Sequence, residues 1–154
     1  MKKKLLISAC LIGKKVRFDA KVKFYDSKII NKFKKDYELI PFCPEVEGGL
    51  PTPRDPSEIQ NGDGFDVISG CSKIINSKGK DVTQNFILGA KKALNVAKKE
   101  GIELAILKSK SPSCSNAYIY DGTFANKLRI GKGVTCALFE KEGIKVFSEL
   151  DDES

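Results

Sequence analysis

Apolar residues occur along the chain in short blocks separated by polar, lysine-rich stretches. The length and spacing of each block distinguish strand from helix. Leu5-Leu6-Ile7-Ser8-Ala9 is a brief continuous run and reads as a buried strand. Ile29, Ile30 and Phe33 then fall at helical spacing behind Ser27, a residue type suited to an N-cap, so a helix is expected from Ser27 to Lys35. Glu38-Leu39-Ile40-Pro41-Phe42 reads as a second strand, although Pro41 has no amide proton for a ladder. From Cys43 to Ile59 no period holds, and Pro44, Gly48, Gly49, Pro51, Pro53 and Pro56 predict an extended loop. A loop of that length with no structure of its own is uncommon unless it has a function. Phe65 to Ser69 and Ser72 to Asn76 suggest a small hairpin around Gly70-Cys71.

The strongest helical pattern begins at Asp81, where Asp81 and Gln84 resemble a capping box. Phe86, Ala90, Leu94 and Ala97 line one face, and Gly101 stands where a C-terminal glycine belongs. Leu104-Ala105-Ile106-Leu107 reads as a third buried strand, followed by an irregular stretch from Ser109 to Gly133. A last helix is expected from Val134 to Glu142, ending at Gly143, and a final strand from Ile144 to Phe147. Strand and helix therefore alternate. That order predicts a single α/β domain over 1–150, with a mostly parallel sheet and helices on both faces, a Rossmann-like three-layer arrangement. The acidic end, Asp151-Asp152-Glu153-Ser154, is expected to fray. Right-handed crossovers bring all strand C-terminal ends to one edge, where such sheets bind their ligands.

Composition narrows the chemistry. The chain has 154 residues, enough to bury a core without disulfide staples. No apolar run approaches a membrane span, and Leu5-Leu6-Ile7 after the basic start is too short for a signal peptide. A cytoplasmic protein with no membrane partner is expected, and its five cysteines then read as thiols or metal ligands rather than disulfides. The chain contains no histidine, which excludes Ser-His-Asp and Cys-His catalysis and every histidine metal ligand. Any acid or base must be a carboxylate, lysine, tyrosine, cysteine or metal-bound water. The net charge of +7 is carried almost wholly by lysine. Lys91, Lys92, Lys98 and Lys99 fall on the wet side of a helix, so the charge reads as a solvated surface.

Cys10 follows the first strand, Cys43 the second, and Cys114 lies in the loop after the third, so all three belong to the same edge of the sheet. Structural zinc sites take four ligands and show close Cys-x-x-Cys pairs, which are lacking here. Three thiolates leave an open position on a metal, or one free iron on an iron–sulfur cluster. Spacing alone leaves three readings open: a metal or cluster site, thiol redox chemistry, or three separate buried thiols. Cys136, beside Ala137 and Leu138, reads as core, and Cys71 as a turn residue with no role.

Ser8-Ala9-Cys10-Leu11 with Gly13, Cys43-Pro44-Glu45-Val46, Gly48-Gly49-Leu50-Pro51-Thr52-Pro53-Arg54, Asp81-Val82-Thr83, Leu107-Lys108, Ser111-Pro112-Ser113-Cys114 and Ile119-Tyr120-Asp121-Gly122-Thr123-Phe124 form a series. In this order the chain, from about Leu6 to Glu149, resembles the thiouracil desulfurase (desulfidase) family, formerly a domain of unknown function. The resemblance implies a [4Fe-4S] cluster held by Cys10, Cys43 and Cys114, with one iron unligated by protein. It implies an enzyme that removes sulfur from a thiolated nucleobase or nucleoside without net redox and releases sulfide. On that reading the open iron binds the substrate sulfur and water replaces it. Glu45 and Ser111 are the implied catalytic residues, and Ser113 and Arg54 the residues expected at the substrate, with Arg54 suited equally to a loop carboxylate. The chain departs from the family at Ser115 and Ala20, where glycine is usual, and at Phe18, where tyrosine is common.

Two other functions compete: a non-catalytic thiolate module that binds zinc or carries sulfur, and a basic nucleic-acid binder. The second lacks the interleaved aromatic and basic residues of RNA modules, so nucleic acid enters only as a thiolated substrate.

Overall fold

The computed structural model describes residues 2–23 and 25–151. Four strands, β1 (Lys3–Ser8), β2 (Tyr37–Phe42), β5 (Leu104–Leu107) and β8 (Lys145–Ser148), form one sheet in the order β2-β1-β5-β8. Every neighbouring pair in it is parallel. β1 is central, and Leu5, Leu6 and Ile7 are wholly buried, which is why the run is continuous rather than alternating. β2 is an edge strand, where Pro41 costs no ladder bond to a second neighbour.

Helix α1 (Lys28–Phe33) packs Ile29 and Ile30 onto one face of the sheet with Leu5, Ile7 and Ile106. The Ser27 side chain accepts from the amide of Ile30 and starts that helix. Helices α4 (Thr83–Lys99) and α5 (Val134–Lys141) cover the other face, where Ala93, Leu94, Ala97, Cys136 and Phe139 meet Leu6, Ala105 and Leu107. The expected three layers are present. The chain leaves β1 toward one face and β5 toward the other, so the order of connections switches between these two neighbours.

Three local expectations change. Residues 64–68 form helix α3 (Gly64–Ile68), not a hairpin arm. Asp63 and Asp66 cap it reciprocally, and this local pairing outweighs the apolar run that suggested a strand. The partner of β4 (Lys73–Asn76) is instead β3 (Ser57–Gln60), from the stretch expected to be loop. That stretch also holds a short helix, α2 (Pro44–Glu47), begun by Pro44 in the first turn. At α4 the Asp81 carboxylate accepts from the amide and hydroxyl of Thr83, but no box with Gln84 closes and the helix begins at Thr83. The irregular stretch before α5 contains a hairpin of β6 (Tyr118–Tyr120) and β7 (Leu128–Ile130).

In the tail, Asp151 is tied down, accepting from the amide and hydroxyl of Ser148 and from Asn116. Asp152, Glu153 and Ser154 lie outside the described residues. Among the described residues no helix is long and apolar enough to cross a membrane.

The thiol-bearing turns are seated by two close backbone approaches. A Cβ on Gly89 of α4 would lie 1.8 Å from the Pro44 carbonyl oxygen, so α2 lies directly on α4. Asn85 of α4 donates its side-chain amide to the Gly48 carbonyl at 2.9 Å and fixes the same contact. A Cβ on Gly133 would lie 2.5 Å from the Cys114 nitrogen. Gly89→Ala is therefore expected to destabilise the fold by about 1–3 kcal/mol, despite alanine's better helix propensity. The check is a thermal melt: a drop of several degrees is expected, and an unchanged or raised Tm contradicts the packing argument.

Candidate functional site

Cys10 sits in a one-turn 3₁₀ segment (Ala9–Ile12) that begins where β1 ends. Cys43 precedes α2 at the end of β2 and occupies its N-cap. Cys114 lies in the loop after β5. Cys10 and Cys43 are half-buried and Cys114 is buried. The three thiols lie close enough to feel one another. Ionised Cys43 raises the pKa of both Cys10 and Cys114, and Cys10 adds to the effect on Cys114. Burial is the larger cause: it pushes Cys10 up to about 11 and Cys114 up to about 12, and it raises Cys43 as well. The empty site is thus a set of neutral thiols near neutral pH.

Several polar groups oppose that trend. The Ser8 hydroxyl, buried at the end of β1, bonds Cys114 and lowers its pKa, while its oxygen accepts from the Lys108 amide at 2.9 Å. Sequence reasoning gave Ser8 no role of its own, and its one signal was its place two residues before Cys10. The charges of Lys108 and Arg17 favour ionised Cys10. Lys108 is held by the buried Glu149 carboxylate at 3.1 Å, and Arg17 by Asp19 at 3.1 Å and the Tyr25 hydroxyl at 2.9 Å.

Glu45 lies on α2, two residues past Cys43, with 19% of its side chain exposed. Its carboxylate pairs with Arg54, Nε to Oε1 at 3.1 Å. Arg54 also donates to the carbonyls of Pro51 and Val16 and to the Thr52 hydroxyl. Four of its five N–H donors go to protein acceptors, the Glu45 carboxylate among them, which is one of the two uses the sequence allowed it. Ser111 accepts from the amides of Ser113 and Cys114, at 3.0 and 3.1 Å. Among the described residues no acceptor takes its hydroxyl proton, and the side chain is half-exposed.

Ser113 is fully buried and shares a 2.8 Å hydrogen bond with Thr135 of α5, which braces the loop. Ser115 is buried too, its hydroxyl turned back to the Tyr118 carbonyl, and it shapes the turn into β6. Phe18 is 41% exposed, and its carbonyl accepts from the Arg54 amide. Ala20 adopts φ 59°, the left-handed region in which glycine is at ease, which accounts for the glycine usual there. Cys71 is exposed, and Cys136 is wholly buried on α5 in the same core cluster as Cys114.

Three thiols with no histidine nearby are a soft, all-sulfur donor set. Four tetrahedral thiolates on zinc, at about 2.3 Å each, stand only about 3.8 Å apart. Among the described residues no group of three or more Cys, Asp or Glu is spaced to close on one metal ion. Three thiols brought to one sheet edge from three separate segments are the soft donor set that an iron–sulfur cluster takes. An open crevice of about 360 Å³ adjoins Cys43, lined by Ala9, Val16, Phe42 and Val46, with Lys14 and Glu47 also on its wall.

An α/β domain with three thiols gathered at the C-terminal edge of its sheet, and a carboxylate beside them, is the class these features define. The model of the 2-thiouracil desulfurase family matches residues 5–151, and the chain belongs to that family. The uncharacterized protein YbbK of Bacillus subtilis (strain 168) is 41% identical over 145 residues, which are 94% of this chain and 95% of that protein. A solved [4Fe-4S]-dependent thiouracil desulfidase, TudS, superposes with a TM-score of 0.82 at 40% identity, covering 96% of this chain and 91% of its own.

Thiolate reacts with alkylating agents and thiol does not, so the raised pKa values predict an order of modification in reduced, metal-free protein. With iodoacetamide at pH 7, exposed Cys71 is expected to react first. Cys10, Cys43 and Cys114 follow slowly, speeding up about tenfold per pH unit below their pKa values. Peptide mapping by mass spectrometry checks this, and equal rates for Cys71 and Cys114 contradict it.

Proposed function

We propose that this protein removes sulfur from a thiolated pyrimidine, thiouracil or a close nucleoside, by hydrolysis without net redox, and that Cys10, Cys43 and Cys114 hold the [4Fe-4S] cluster on which it depends. The observation that carries the reading is the placement of three mutually influencing thiols at one sheet edge, with Glu45 on the turn that presents Cys43. Family membership and the likeness to the [4Fe-4S]-dependent TudS support it.

A cluster with three protein ligands supplies an open iron, a soft Lewis acid suited to a thiocarbonyl sulfur. The chain's own residues manage water and protons. Carbon–sulfur replacement consumes one water: its oxygen forms the new carbonyl, and sulfur leaves as hydrosulfide. Glu45 accepts the proton of the attacking water, and Arg54 keeps that carboxylate turned to the site. Ser111 orients the water or the leaving sulfur with the hydroxyl proton that no neighbour takes, its oxygen fixed by the amides of Ser113 and Cys114. The apolar crevice wall of Val16, Phe42 and Val46 suits the faces of a flat pyrimidine. Because the empty thiols are neutral, loading the site releases protons, and cluster assembly is expected to improve as pH rises from 7 toward 9.

After anaerobic purification or reconstitution, about four iron and four acid-labile sulfide per chain are expected in the wild type. Cys43→Ala is expected to lose most of both. One zinc per chain, or none of either metal, favours the non-catalytic thiolate module instead. Glu45→Gln is expected to keep the iron and lower sulfide release from thiouracil by about 10²–10⁴-fold. Full activity in that variant removes Glu45 from the mechanism.

A further inference from the structure

We infer that Arg54 is a positioning residue that locks Glu45 and the turns bearing Cys10 and Cys43 into one arrangement, an inference that rests on the reaction proposed above. Four of the five side-chain donors of Arg54 are held by protein acceptors. Arg54 has five N–H donors, and its side chain is only 7% exposed. Nε goes to Glu45, Nη1 to the Pro51 carbonyl and the Thr52 hydroxyl, and Nη2 to the Val16 carbonyl at 2.9 Å. Its own amide reaches the Phe18 carbonyl at 2.7 Å.

These partners come from three segments. Val16 and Phe18 belong to the loop that leaves Cys10, Glu45 to the helix that follows Cys43, and Pro51 and Thr52 to the proline-rich connection between α2 and β3. The Val16 carbonyl that receives Arg54 also lies 4.0 Å from the Cys43 sulfur. One planar fork therefore spans the Cys10 loop and the Cys43 helix and holds the catalytic carboxylate between them. Lysine cannot replace it, because a single ammonium on a flexible stem cannot meet four acceptors set around a plane. The guanidinium is tied to protein from both sides, with its side chain only 7% exposed. Arg54 acts on the reaction through Glu45.

The test uses anaerobically purified holoprotein in wild type, Arg54→Gln, Arg54→Lys, Glu45→Gln and the double variant Arg54→Gln with Glu45→Gln, with rates counted per iron-loaded chain. Arg54→Gln is expected to lower kcat for thiouracil by about 10- to 100-fold, as small misplacements do, with KM little changed. Arg54→Lys is expected not to restore the rate. On the Glu45→Gln background the same change is expected to cost less than roughly threefold, because the two residues act as one unit. Restoration by lysine, a raised KM with kcat unchanged, or additive losses each overturn the positioning role.

A readout independent of activity is amide hydrogen exchange. The Arg54 amide and the α2 amides of Glu47 and Gly48 are expected to exchange about tenfold faster in Arg54→Gln, while β1 amides keep their rates. Unchanged exchange at those amides overturns the clamp. If wild-type protein with a full complement of iron releases no sulfide from thiouracil, the proposed substrate fails, and the exchange result still decides whether Arg54 joins the two turns.

Discussion

At Gly89 and Gly133 backbone meets backbone with no room for a side chain, and the geometry of the thiol site depends on both contacts. Gly89 lets the carbonyl of Pro44 rest on α4, and Gly133 lets the Cys114 loop rest on the start of α5. Helices α4 and α5 are themselves anchored on the sheet by Ala93, Ala97, Cys136 and Phe139. The position of Cys43 is thus referred to α4 and that of Cys114 to α5, while Cys10 is referred directly to β1. Three separate segments are measured against one packed core, whose interior tolerates little displacement. A cofactor that takes one ligand from each segment needs this rigidity, since no short motif holds its ligands together.

Burial and the Glu149 charge favour protonated thiols, while Ser8, Lys108 and Arg17 favour the ionised form. Glu149, nearly inaccessible, is satisfied by Lys108 and by the amide and hydroxyl of Ser109, and the group lies beside Cys10 rather than in the centre of the core. A positive charge fixed by a buried carboxylate does little for an empty neutral pocket. It is well placed to offset the negative charge of a thiolate-bound cluster. Arg54 and Glu45 form a second such pair, set between the Cys10 and Cys43 turns.

Much of this was readable from the residues alone. Continuous apolar runs marked β1 and β5, Ser27 marked the start of α1, and the strand–helix alternation required a parallel sheet with its ligand edge at the strand ends. That edge, with the absence of histidine, singled out Cys10, Cys43 and Cys114 from five cysteines before any contact was known. These are local or topological facts, fixed by side-chain periodicity, caps and the handedness of crossovers.

Tertiary structure alone decided the rest. Whether Phe65 to Ser69 is strand or helix turned on the reciprocal Asp63–Asp66 cap, and β3 was recognisable only once β4 lay beside it. Ser111 and Ser113 are alike in sequence, flanking one proline, but Thr135 from a helix more than twenty residues on takes one of them and leaves the other free. Arg54 suited a substrate or a carboxylate equally until Glu45, Val16, Pro51 and Thr52 were seen to use its donors. In each case the deciding partner is distant in the chain or set by loop geometry, and no periodicity encodes which of several equivalent polar groups a folded loop will satisfy.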